Sequence, residues 1–180
     1  KLKALSLRYV EWMLGSQRED GWFGPEKNDD WWPRMVALKA LQQYYTATGD
    51  KRVPLFLLKY FKYQYQNVDS RPLADWAVAR VADNMAVALW LYNLTGMDFL
   101  ISLCKKLREQ CFDWTNHFYM YPNVQPTGKS LPWANKLLPN LKDEAHLEGA
   151  SRPYYRTQYH YTHVVNVAMG LKEPGVIHQF

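Results

Sequence analysis

The sequence predicts an all-α fold assembled from helical hairpins. Three observations carry that expectation. Apolar residues recur at three- and four-residue spacing through most of the chain, the signature of helices with one buried face. No segment sustains the alternation of a half-buried strand. Tyr45-x-x-Thr48-Gly49 returns 47 residues later as Tyr92-x-x-Thr95-Gly96, each time between two helical patterns. Hairpins repeating at that period stack as an open solenoid or close into an α/α toroid, whose inter-helix loops line one end of a funnel.

Leu2, Leu5, Tyr9, Trp12 and Met13 predict an amphipathic helix over residues 2–16, ending near Gly15. The stretch QREDGWFGPEKNDDWWPR, residues 17–34, is then broken by Gly21, Gly24 and Pro25. It holds Trp22, Phe23, Trp31 and Trp32 among Arg18, Asp20, Glu26, Asp29, Asp30 and Arg34. Such a loop suits a sugar, whose C–H faces stack on flat apolar planes and whose hydroxyls take carboxylate or guanidinium partners. The competing reading is that the indoles roof a core built elsewhere.

Pro33 suits a first helical turn, with Asp29 and Asp30 beside its positive end. Met35, Leu38, Leu41 and Tyr45 carry that helix to about Thr48, where Gly49 stops it. Asp50 is placed to cap the next helix, whose apolar positions Leu55, Leu58, Phe61 and Tyr65 run to about Gln66. After a loop at 67–72, Ala74 to Thr95 reads as one long helix with Trp76, Val87, Trp90, Leu91 and Leu94 apolar. Phe99, Leu100, Leu103, Leu107 and Cys111 predict another, reaching Asp113-Trp114. Residues 115–157 carry Pro122, Pro126, Gly128, Pro132, Pro139, Gly149 and Pro153 and read as a long irregular loop. Tyr159 to Leu171 predicts a last helix, ended by Pro174.

Hydrophobic content of 48% supports a packed core in one domain spanning residues 1–180, or in a piece of a larger one. Aromatic content of 16%, with 8 Trp and 13 Tyr, favours a ligand-lining surface. The net charge of +5 is scattered rather than gathered in a stripe, which argues against a nucleic-acid partner. No apolar run is long enough for a membrane span and no signal peptide opens the chain, so a soluble protein without a membrane partner is expected. Both ends read as cuts through a longer protein. Cys104 and Cys111 lie seven residues apart in a helical pattern, roughly 10 Å along the axis, too far for a disulfide. No Cys/His cluster offers a metal site, and no cofactor is expected in this chain.

The strings QREDGWFGP, DWWPRMVALKALQQYYTATGD, DNMAVALWLYNLTG and THVVNVAMGLKEPGV, in that order, resemble the catalytic domain of family-127 glycoside hydrolases, the β-L-arabinofuranosidase-like proteins. The resemblance covers nearly all the chain outside 115–157. It implies part of an (α/α)6 barrel, with the rest of the barrel missing from this chain. It also implies hydrolysis of arabinofuranoside-type plant sugars with retention, by a cysteine nucleophile beside zinc and a glutamate acid/base. Those residues belong to the missing part, so the resemblance implies no catalytic residue here. It implies a sugar contact at His163. The two earlier helices read WPRMV (32–36) and RVADN (80–84), without the histidines of characterised arabinofuranosidases.

The candidate substrate-binding residues are therefore Asp29, Asp30, Trp31, Trp32, Arg34, Asp83, Asn84, His163 and Asn166. Asp83 and Asn84 interrupt an apolar helix, either as hydroxyl acceptors at a funnel mouth or as a buried polar network with Arg80 or Arg34 as partner. His163 and Asn166, at i and i+3, share a helix face, and His160 falls on the same face as a weaker candidate for a two-histidine metal pair. Asp29 and Asp30 are adjacent, a poor arrangement for an acid/base pair across a scissile bond. One is expected to bond a sugar and the other to cap a helix. The alternative to a glycosidase is a non-catalytic helical-repeat scaffold or carbohydrate-binding protein.

Overall fold

The computed structural model describes residues 2–119 and 164–180. They form α1 (Leu2–Gly15), α2 (Trp31–Thr48), α3 (Arg52–Asn67), α4 (Trp76–Arg80), α5 (Ala82–Thr95), α6 (Phe99–Gln110), α7 (Trp114–Tyr119), α8 (Val164–Gly170) and α9 (Glu173–Ile177). No strand occurs among the described residues, so the protein is all-α there.

The repeated Tyr-x-x-Thr-Gly motif closes α2 and α5 in the same way. Gly49 (φ 71°) and Gly96 (φ 69°) take the left-handed conformation that side chains resist, and donate their N–H groups to Tyr45 O and Tyr92 O at 2.7 Å. Thr48 and Thr95 each return a hydroxyl to the carbonyl four residues back, at 2.7 Å. Each stop turns the chain into a second helix, giving hairpins α2–α3 and α5–α6. The hairpins stack in parallel register: α5 packs on α2, and α6 on α3. Tyr45 meets Trp90 edge-on between α2 and α5, and Tyr65 meets Phe99 between α3 and α6.

α5 is the hub, touching α2, α3, α4, α6, α8 and α9. Its apolar residues surround the helix instead of forming one stripe, as expected of a helix covered on several sides. Met85, Val87, Ala88 and Leu91 are buried there, facing Met35, Leu38 and Leu41 of α2 and Leu100, Leu103 and Leu107 of α6 within one core.

Several sequence expectations need correcting. The stripe predicted for α1 points away from the protein: Leu2 is 80% and Trp12 55% exposed, and only Val10 is buried. Of that stripe Met13 alone packs on the core, together with Val10 and Leu14. On α3 the predicted Leu55 is 69% exposed. The buried set is Val53, Phe56, Leu57, Tyr60, Phe61 and Gln64, a wider face because α3 is met from several sides at once. The long helix expected over 74–95 is broken into α4 and α5 at Val81. α6 ends at Gln110 and leaves Cys111 extended. Residues 115–119, expected in the long loop, belong to α7, while the rest of 115–157 lies outside the described residues. Pro174 does not simply terminate a helix but opens α9, where its missing N–H costs nothing.

The largest revision concerns residues 17–34, because Trp22, Phe23 and Trp31 are all buried and belong to the core. They pack edge-on or tilted with Phe56, Tyr60 and Tyr63 of α3, and full burial of one such side chain contributes about 1.5–3 kcal/mol. The buried Arg34 guanidinium holds the loop over them. It donates to Phe23 O (3.0 Å), Asp30 O (3.0 Å), Asn28 O (2.6 Å) and the Asn28 side-chain oxygen. Its carbon lies 4.1 Å from the centre of the Trp22 ring. Gly21, at φ 105°, lets the loop press against α3: a Cβ there would come within 2.4 Å of Lys59 O.

Arg34→Met should therefore lower unfolding free energy by about 3 kcal/mol or more, since it orphans several buried carbonyls at once. Arg34→Lys should recover little of it, because an ammonium cannot reproduce the planar fork. Urea denaturation measures both. A lysine variant as stable as wild type would show that the fork geometry does not matter.

Candidate functional site

Where α2, α4, α5 and α8 meet, two indoles, a guanidinium, an amide and a carboxylate come together. α2 presents Trp32 and, two turns on along the same face, Lys39. α4 presents Trp76 and Arg80, four residues apart and so on one side. Asp75 immediately before α4 sits at φ 48°, ψ −123°, a conformation that costs a non-glycine residue about 1–3 kcal/mol. α5 supplies Asp83 from its first turn, and α8 supplies Asn166.

The position of α8 against α4 is fixed by Trp114. This buried residue donates its indole N–H to Ala79 O at 2.8 Å. Its ring lies against Gly170, where a Cβ would approach to 2.3 Å. Only glycine lets α8 come this close.

Arg80 is the centre of the cluster. Its carbon lies 4.6 Å from the Trp32 ring centre and 4.9 Å from that of Trp76. Its Nε donates to Asn166 Oδ1 at 2.6 Å. Burial lowers its pKa, and the nearby Asp83 acts in the opposite sense. Asp83, nearly buried, accepts from Lys39 at 2.9 Å and from Lys172 at 2.5 Å. Its ion-pair partners are thus two lysines, not the expected Arg80 or Arg34. The buried Asn166 keeps its Nδ2 without an acceptor, as does the indole N–H of Trp32, among the described residues.

Of the residues singled out from sequence, the fold brings together Trp32, Asp83 and Asn166. It does not bring the others. Asp29 is exposed on the loop. Asp30 caps α2, accepting from Trp32 N at 2.9 Å. Trp31 is 2% exposed and gives its indole N–H to Arg71 O, so it presents no free face to a sugar. Arg34 is spent on the loop. Asn84 turns toward α3, where its Nδ2 donates to Gln64 Oε1 at 2.9 Å. His163, like His160, lies outside the described residues.

Sequence reasoning missed Lys39 and Lys172, whose role depends on which helices become neighbours. The seven-residue interval from Trp32 to Lys39 was the one available signal. It also missed a second cluster. Glu173, fully buried at the start of α9, accepts from Thr115 Oγ1 (3.1 Å) and the Cys111 thiol (3.5 Å), and lies 3.4 Å from an Arg108 nitrogen. Burial raises its pKa above the ordinary 4.5 despite Arg108. Cys111 thus sits beyond the helix among polar groups, not within the helical pattern expected for it. Burial pushes its thiol up to about 11, and that of Cys104 up to about 12. Cys104 lies within α6 and Cys111 just past its end. No described helix is long and apolar enough to cross a membrane.

Two measurements follow from this chemistry. Both cysteines should react with iodoacetamide at least about tenfold more slowly in the native protein than in concentrated guanidinium, at near-neutral pH. Equal rates would mean that the native thiols are as accessible and as readily ionised as unfolded ones. For Glu173 the folded pKa lies above the unfolded one, so the folded state holds the proton more tightly. Its contribution is most favourable below pH 4.5 and declines as pH climbs through the raised folded value. Wild type should accordingly lose stability relative to Glu173→Gln over that window. A pH-independent difference in urea denaturation would contradict the raised pKa.

No family model, curated protein or solved structure matches this chain.

Proposed function

We propose that this chain is the substrate-binding part of an α/α-barrel glycoside hydrolase of the family-127 type, acting on arabinofuranoside-type plant sugars. The observation that carries the reading is the convergence of Trp32 and Trp76 around Arg80, with Asn166 and Asp83 beside it. Half-exposed indoles offer apolar surface to C–H groups, and an amide, a carboxylate and a guanidinium supply directional bonds to hydroxyls. Hairpins stacked first helix on first and second on second are the unit from which such a barrel closes. In this reading the chain positions the sugar, and the nucleophile and acid/base come from outside it. The protonated Cys104 and Cys111 agree with that division of labour.

A non-catalytic helical scaffold is the second reading. It is favoured by the burial of Trp22 and Trp31, which turns the most sugar-like stretch of the sequence into core.

Trp32→Ala separates the two. If Trp32 binds sugar, its loss should weaken affinity for an arabino-oligosaccharide about tenfold, the upper end of one stacking contact of roughly 0.5–1.5 kcal/mol, at a temperature where both proteins remain folded. Calorimetric titration and thermal melts report both quantities. A lower melting temperature with no sugar affinity in either protein would leave the scaffold reading standing. The chain alone should not hydrolyse an aryl arabinofuranoside. Turnover abolished by Cys104→Ala or Cys111→Ala would overturn the placement of the nucleophile outside it.

A further inference from the structure

We propose that the Arg80 cluster takes an acidic sugar, and that it binds the sugar's carboxylate. This rests on the carbohydrate reading above and adds to it an acidic residue of the arabinose-containing sugar, since arabinose itself carries no carboxylate. The first observation is charge. Lys39, Arg80 and Lys172 gather around one acidic side chain, Asp83, which pairs with both lysines and lies near Arg80. Among the described residues the cluster therefore carries a surplus of positive charge.

The second observation is an excess of donors. Asn166 is completely buried and commits its oxygen to Arg80, which leaves its Nδ2 without an acceptor. The buried indole N–H of Trp32, on the ring that faces the same guanidinium, also lacks one. Each orphaned donor is costly in a folded protein, and such groups call for an ion or ligand that meets them. Two donors without acceptors beside surplus cations match a carboxylate, which accepts through two oxygens and donates nothing. A neutral sugar hydroxyl would satisfy the donors but leave the charge unmatched. On one side of the cluster the Lys39 and Lys172 side chains are 42% and 35% exposed.

D-Galacturonate and D-galactose share a ring and differ in the carboxylate, so calorimetric titration with each, and with inorganic phosphate, tests the proposal. Galacturonate should bind at least about tenfold more tightly than galactose or phosphate and weaken as salt rises. Asn166→Asp keeps the acceptor for Arg80 but replaces the free donor by a negative charge, and should reduce galacturonate affinity about tenfold or more. Trp32→Phe keeps an aromatic face but removes the pyrrole part of the indole with its N–H, and should reduce it several-fold. If Asn166→Asp does not fold, Trp32→Phe still decides. Equal binding of the two sugars would overturn the carboxylate assignment and leave the carbohydrate reading intact. Phosphate binding as tight as galacturonate would make this a simple oxyanion site and overturn the proposal. Galacturonate affinity unchanged in the folded variants would place binding elsewhere and overturn it as well. No binding by either sugar would overturn this proposal, while the carbohydrate function stands or falls separately on the arabino-oligosaccharide titration.

Discussion

A single buried cation orders the first third of the molecule. Taking a guanidinium out of water costs several kcal/mol unless its N–H groups are met, and Arg34 meets that demand with backbone carbonyls and the face of Trp22. Among the described residues no carboxylate side chain bonds it; Asp30 contributes its carbonyl, while its side chain caps α2. The same residue therefore links the loop to the start of the helix. Because Arg34 stands in the opening turns of α2, it also fixes where that helix begins. Trp32 and Lys39 inherit their positions from this, so the candidate site depends on a clamp that lies outside it.

The fold class was legible because it depends on local periodicity. Gly49 and Gly96 mark helix ends whatever lies around them, and Asp30 and Asp50 cap by bonds within two residues, to Trp32 N and Arg52 N. What was not legible depended on neighbours. Leu55 and Phe56 are equally apolar in sequence, and only the packing of α2, α5 and α6 decides which of them is buried. The indoles of residues 22 and 31 looked like a ligand surface because glycines and charges surround them. The sequence could not show that Arg34 would turn those charges and carbonyls inward. Cys111 misled for a related reason: its seven-residue spacing from Cys104 fits a helix that in fact stops one residue earlier.

The candidate site was legible only in part, and unevenly. Asp83 drew attention as a charge in an apolar helix, which is a local anomaly. Its partners Lys39 and Lys172 are ordinary surface residues in any one-dimensional view. Asn84, adjacent to Asp83, points to α3 because successive helical positions are about 100° apart. Asn166 is informative only once Trp114 and Gly170 have brought α8 against α4.

The bond from Lys172 to Asp83 joins residues 89 positions apart, and the bond from Arg80 to Asn166 spans 86. The stacked hairpins, by contrast, are closed by turns of a few residues. Contacts between distant positions must overcome loop-closure entropy before they are rewarded, whereas local ones form early. The assembly order of this chain is thereby written into its geometry. The α2–α3 and α5–α6 hairpins hold most of the described core residues, with Val176 of α9 joining them, and the polar cluster is complete only where α8 and α9 are docked. Ordering of the site is then a late event in folding and an early one in unfolding, so it can be lost while the hairpins remain intact.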